Sequence, residues 1–200
     1  MFYMVSKFLL MSRLTIVIFF SFFLSGMSSP PLCVGGPAPS FELETLSGEI
    51  FKSSDLKNKA VILNFWATWC VPCIKEMPEL NKAHASFKEN DVEIIAINFA
   101  ETRSKVDKFV SKHPINSPVL LDKYGNVSQD YRVRNLPVTY FISPDGIIMD
   151  TVFGGITQQL IKKKAQATRS SNPHPRAIRW KSSLKFSSTA QLLDSLDSCF

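Results

Sequence analysis

Two hundred residues, 45% of them hydrophobic, suffice for one packed domain with some excess at the ends. The net charge of +6 would suggest an anionic partner, but residues 161–200 hold eight Lys/Arg against two Asp/Glu, while residues 1–160 hold fifteen of each. The basic character belongs to the tail and gives no ground for a nucleic-acid partner of the domain.

Residues 1–30 read as a targeting segment. Lys7 and Arg13 precede the apolar run Leu14 to Leu24, and the small residues Ser25, Gly26, Ser28 and Ser29 follow. That order is shared by a cleaved signal peptide and a retained membrane anchor, and both readings place the domain outside the cytoplasm. Residues 31–39 hold Pro31, Gly35, Gly36, Pro37 and Pro39, a linker composition. Cys33 lies here and Cys199 near the other end. Neither carries a motif, and the residues before Cys33 are not the small ones that lipid-modified cysteines favour.

From residue 40 the pattern is that of a folded domain. Phe41 to Leu46 alternates in period two, Ser47-Gly48 is a turn, and Glu49 to Lys52 returns, so an N-terminal β-hairpin is expected. Ala60 to Ala67 is a near-continuous apolar strand, as expected of one buried on both faces. Apolar residues at helical spacing then run from Pro72 to about Lys88, with Pro78 inside and expected to kink the helix. Val92 to Phe99 is a strand, and Thr102 or Ser104 caps a helix carrying Val106 and Phe109. Val119 to Asp122 is a short strand and Asn126 to Tyr131 a short helix. Val138–Ile142 and Ile147–Phe153 flank Ser143-Pro144-Asp145-Gly146 as a second hairpin. Thr157 opens a last helix through Leu160 and Ile161. Alternating strands and helices with hairpins at both ends imply an α/β sandwich around a mixed sheet over residues 40–161. Residues 162–200, with Lys162-Lys163-Lys164 and no sustained periodicity, are expected to be a disordered or non-native basic tail.

The chemistry concentrates at Trp66-Ala67-Thr68-Trp69-Cys70-Val71-Pro72-Cys73, where the apolar strand runs into a helix. Thiols on a first helical turn face unsatisfied backbone N–H groups and the positive end of the helix dipole, both of which favour a thiolate. Residues three apart share a helix face, so Cys70 and Cys73 can close into a disulfide. A zinc half-site would need a second ligand pair, and His84 and His113 stand alone, so no metal is expected. A structural disulfide, a copper chaperone or a redox-inert binding module remain as other readings of the pair. Glu76 lies three residues after Cys73 on the same face, within reach of the thiols. Its bland alternative is a solvated helix glutamate.

Phe65-Trp66-Ala67-Thr68-Trp69-Cys70-Val71-Pro72-Cys73, with Pro78 five residues on, resembles a thioredoxin-fold thiol-disulfide oxidoreductase. More narrowly, the chain is similar to the ResA/TlpA type within the AhpC/TSA-like redoxins. Gly36-Pro37-Ala38-Pro39-Ser40-Phe41, Cys73-Ile74-Lys75-Glu76-Met77-Pro78 and Pro137-Val138-Thr139-Tyr140-Phe141-Ile142 carry the resemblance, which spans about residues 36–160.

The resemblance implies a thioredoxin-like three-layer sandwich, a catalytic set of Cys70, Cys73 and Glu76, and no bound cofactor. Cys70 would be the attacking thiolate and the more exposed of the pair, with Cys73 resolving the mixed disulfide. Pro137 matches the family's cis-proline beside the dithiol. Thioredoxins carry an acid in the preceding strand where this chain has Asn64. The ResA-like group instead carries the glutamate that matches Glu76, expected to be partly buried and to titrate with the cysteines. Trp66 and Trp69 are expected to pack around the dithiol and limit water, and Val71-Pro72 to influence its redox poise.

The function so implied is the reduction of client disulfides, with apocytochrome c during cytochrome c maturation as the favoured client. Electrons would come from a membrane thiol donor, and the N-terminal segment would contact the membrane. A disulfide-forming oxidase and a general exported thioredoxin are the rivals among enzymes. A peroxiredoxin would want a Thr-x-x-Cys signature that is absent around Cys70.

Overall fold

The computed structural model describes residues 32–87 and 92–169. The expected targeting segment, Cys199 and the part of the tail beyond residue 169 lie outside the described residues. Among the described residues no helix is long and apolar enough to cross a membrane.

Seven strands form one sheet in the order β2-β1-β5-β4-β3-β6-β7. They are β1 (Glu42–Thr45), β2 (Ile50–Lys52), β3 (Ala60–Trp66), β4 (Val92–Phe99), β5 (Val119–Asp122), β6 (Val138–Ile142) and β7 (Ile148–Phe153). The strands β3, β4 and β5 run parallel, and β6 and β7 join antiparallel on one side. On the other side the hairpin β1–β2 pairs antiparallel with β5, so the sheet is mixed, as expected. The helices are α1 (Val71–Phe87), α2 (Arg103–Val110), α3 (Asn126–Asp130) and α4 (Gln158–Arg169).

All seven residues of β3 are buried, which explains why six of them are apolar. Side chains alternate across a strand. Val61, Leu63 and Phe65 therefore join Ile95, Ile97, Leu120, Tyr131 and Tyr140 on one face of the sheet. Ala60 and Ile62 join Leu80, Ala83 and Phe87 of α1 and Ile161 and Ala165 of α4 on the other. A third cluster caps the carboxyl end of β3 and holds Trp66, Ala67, Cys70, Cys73, Met77 and Val106. Each large apolar side chain so enclosed contributes about 2 kcal/mol. Asn64 is the polar residue of β3, and its parity places it on the α1 face.

Two boundaries differ from expectation. The last helix does not end at Ile161 but runs to Arg169, with Ala165 and Thr168 buried on its inner face. Ile161, Ala165 and Thr168 keep helical spacing, but a small residue and a hydroxyl carry little apolar signal, and Lys162-Lys163-Lys164 hid the stripe. Thr168 donates its hydroxyl to the Lys164 carbonyl at 2.8 Å, an internal partner for a polar group on that face. The domain thus takes in the first residues of the expected tail.

The presumed linker is also built into the fold. Gly35 N–H donates to Ile148 O, Ile148 N–H to Gly36 O and Ala38 N–H to Gly146 O, at 2.7, 2.9 and 2.9 Å. Leu32, Val34 and Ala38 pack against the core. Gly146, at φ +76°, turns the β6–β7 hairpin that receives this segment.

Candidate active site

The site is built where β3 gives way to α1. After Trp66 the chain turns through Ala67, Thr68 and Trp69, closed by the Cys70 N–H donating to Ala67 O at 3.1 Å. Cys70 occupies the N-cap position of α1: its carbonyl accepts from the Ile74 N–H at 3.1 Å. Its Sγ accepts from the Cys73 N–H at 3.2 Å. A sulfur there takes the place of a capping oxygen, and the same N–H would stabilise a thiolate. Pro72 sits in the first turn, where a missing N–H leaves no helical bond unmade.

A disulfide joins Cys70 and Cys73, with their Cα atoms 5.2 Å apart. Cys70 is 4% exposed and Cys73 0%, so the expected order of exposure holds but the margin is small. Among the described residues no group of three or more His, Cys, Asp or Glu is placed to hold a metal.

Glu76 is buried at 3% exposure under the dithiol's helical turn. Its Oε1 accepts from Asn64 Nδ2 at 2.8 Å and its Oε2 from the Ile156 N–H at 2.9 Å. Asn64 Nδ2 also donates to Thr139 Oγ1 at 3.0 Å, which ties β3, α1 and β6 together through one amide. Burial pushes the Glu76 carboxyl up to about 7, against the downward pull of those two hydrogen bonds. A carboxyl poised there can hold or release a proton at neutral pH.

The Leu136–Pro137 peptide is cis, and Pro137 is buried immediately before β6. Leu136 packs against the cluster that holds both cysteines. The Pro137 carbonyl accepts from the Gly154 N–H at 2.9 Å, linking that loop to the one that supplies Ile156.

Trp66 is enclosed at 1% exposure and packs on Phe109 with ring centroids 5.4 Å apart. Trp69 differs from expectation. It is 59% exposed, as is Val71, so it presents an apolar surface beside Cys70 instead of sealing the dithiol. It falls in the turn between β3 and α1, where the backbone faces its side chain outward. The two cysteines are themselves buried members of the third cluster.

One residue of the site was not singled out from the sequence. Glu101, 6% exposed at the end of β4, accepts from the Thr68 N–H at 2.7 Å and the Thr68 hydroxyl at 2.6 Å. Partial burial pulls its carboxyl upward. Hydrogen bonds from Lys105, both groups of Thr68 and Asn98 outweigh that and hold it below the ordinary carboxylate value. No local pattern announces this, because Thr68 and Glu101 are 33 residues apart.

A sequence model of the AhpC/TSA family matches residues 34–151. The thiol-disulfide oxidoreductase ResA of Oceanobacillus iheyensis is 44% identical over 128 residues, covering 62% of this chain and 67% of that protein. A structure of a thiol:disulfide interchange protein DsbE from Chlorobium tepidum superimposes with a TM-score of 0.65 at 27% identity, over 68% of this chain and 98% of that one. A secreted Mycobacterium tuberculosis disulfide oxidoreductase, homologous to E. coli DsbE, gives 0.58 at 28% identity, over 64% and 95%.

Proposed function

The chain belongs to the AhpC/TSA family and is a thioredoxin-fold thiol-disulfide oxidoreductase of the ResA type, and on that premise we propose that it reduces disulfides of client proteins outside the cytoplasm, apocytochrome c foremost, during cytochrome c maturation. The observation that carries the reading is a disulfide at a helix N-terminus with Glu76 buried one turn on, its carboxyl up to about 7.

Reduced Cys70, as thiolate, attacks one sulfur of the client disulfide. A Cys70–client mixed disulfide forms, and the other client sulfur leaves as a thiolate that takes up a proton. Cys73 loses its proton and attacks Cys70 Sγ, expelling the second client sulfur. Two electrons have passed to the client with two protons, one released by Cys73 and one drawn from solvent in place of that lost when Cys70 ionised, and Cys70–Cys73 is a disulfide. A protonated Glu76 disfavours premature ionisation of Cys73 less than its anion would, and as it ionises it can supply a proton to a departing sulfur. A membrane thiol donor then regenerates the dithiol by the same exchange in reverse. Trp69 and Val71 offer the apolar rim and Pro137 the edge against which a client segment docks. The apolar run of residues 14–24 and the secreted relative support an extracytoplasmic site, with the N-terminal segment as the contact to the membrane.

Direction is tested by the reduction potential, measured by equilibration with dithiothreitol or glutathione, together with insulin reduction. A reductase is expected near the thioredoxin value of about −270 mV, and a potential near the −120 mV of strong oxidants would overturn the assignment. The client is tested by Cys73→Ser, which should accumulate a mixed disulfide with apocytochrome c in cells that mature it. Capture of other clients alone sinks that part of the reading.

A further inference from the structure

We propose that Glu101 is a positioning residue for the dithiol: its buried carboxylate clamps Thr68, two residues ahead of Cys70, and through that clamp holds the Cys70 sulfur against the start of α1. The inference rests on the Cys70–Cys73 pair as the redox centre and adds a residue outside the motif that governs it.

Between the end of β3 and Val71 the chain reverses with one backbone hydrogen bond of its own, Cys70 N–H to Ala67 O. A turn so lightly tied would leave the N-cap position loose. Glu101 supplies the missing constraint. Oε2 accepts from the Thr68 N–H and Oε1 from the Thr68 hydroxyl, at 2.7 and 2.6 Å, so both oxygens grip one residue. The remaining acceptor capacity is filled by Asn98 Nδ2 at 2.9 Å and Lys105 Nζ at 2.7 Å. A carboxylate with two oxygens each accepting twice is fully satisfied, and charge-assisted bonds of this kind are about twice as strong as neutral ones.

The surrounding chain is shaped to deliver this group. Ala100 adopts φ +53°, a left-handed conformation that residues with a Cβ rarely take, and so turns Glu101 inward after β4. Parallel pairing of β3 with β4, with Trp66 opposite Asn98, brings the ends of the two strands level. Lys105 also matters for the thiol. An uncompensated carboxylate near Cys70 would disfavour its thiolate, and the ammonium of Lys105 offsets that charge.

A clamp that holds one cysteine where the other can reach it raises the effective concentration of the pair, and so stabilises the disulfide against the dithiol. A role in global stability alone would lower both redox states together and leave their ratio unchanged. The test is the equilibrium constant of full-length protein with glutathione, read by site-resolved thiol alkylation and mass spectrometry at Cys70 and Cys73. Glu101→Ala is expected to lower that constant about tenfold, equivalent to about 30 mV for this two-electron couple. Glu101→Gln keeps a carbonyl for the Thr68 N–H and should stay within about threefold of the parent. Thr68→Val, which removes one grip without a buried charge, should lower it about threefold and serves if Glu101→Ala does not fold. A parent-like constant in Thr68→Val, or in Glu101→Ala where that variant folds, overturns the proposal, and so does a Glu101→Gln as impaired as Glu101→Ala. The readout needs no client, so failure of insulin reduction by the parent protein would strike the proposed function and not this one.

Discussion

Glu76 and Glu101 are both nearly closed off from solvent, at 3% and 6% exposure, one three residues after Cys73 and the other bonded to Thr68 two residues before Cys70, yet their proton affinities are driven apart. Glu76 meets two neutral donors, Asn64 Nδ2 and the Ile156 N–H, and its deeper burial wins, lifting it to about 7. Glu101 lies nearer the surface and receives four donors, one of them the Lys105 ammonium, which together keep it below the ordinary carboxylate value. Burial alone does not decide the state of a carboxyl. The number and charge of the donors set against it do, and a pair of carboxyls held in different states is the usual basis for dividing labour at a site. Here one group is fit to carry a proton and the other to hold a loop.

The contrast can be broken at several points. The largest effect is expected at the sulfur between the two acids: Cys70→Ser should abolish insulin reduction, since no other residue of the motif can begin the exchange. Next comes the pH dependence of stability. An unfolded Glu76 releases its proton near 4.5 while the folded one keeps it to about 7, so the folded state binds more protons in that window and stability falls as pH rises through it. The loss should total about 3 kcal/mol in urea unfolding of the oxidised protein, and Glu76→Gln should flatten it. A parent curve that rises over the same range would contradict the assignment.

Glu101 has the opposite sign. Its stabilisation is present above the ordinary carboxylate value and is lost only as pH falls through the lowered folded value. Glu101→Ala should therefore cost about 2 kcal/mol at pH 7, through the donors it strands, and measurably less in strong acid. The smallest effect is expected at Asn64→Ala, about 1 kcal/mol, with the proton on Glu76 held to higher pH because one donor is gone. A downward move of the Glu76 titration, followed by infrared or NMR, would contradict that.

Much of this site lies in a short stretch of chain, and that stretch was legible. Cys70, Cys73 and Glu76 fall within seven residues, where strand pattern and helix spacing act locally and place all three on one side of the first two turns of a helix. The two hairpins were marked by period-two alternation around Ser47-Gly48 and Ser143–Gly146. What stayed hidden depends on register between distant segments. Thr68 and Glu101 meet only because β3 and β4 pair in parallel. Asn64 is a polar residue in an otherwise apolar strand, which signals a buried partner without naming Glu76 or Thr139. The end of α4 was missed because Ala165 and Thr168 bury little apolar area per residue. Trp69 was misjudged because composition does not say which way a turn residue faces.

The segment at Gly35–Ala38 hydrogen-bonds to Gly146–Ile148, and along the antiparallel β3–β6 pair that end lies opposite Pro137 and the dithiol. Val138 and Ile142 mark the two poles, four strand steps or about 13 Å apart. A force on the segment Leu32–Ala38 would therefore be borne by the β6–β7 turn, at the end of the sheet remote from Cys70.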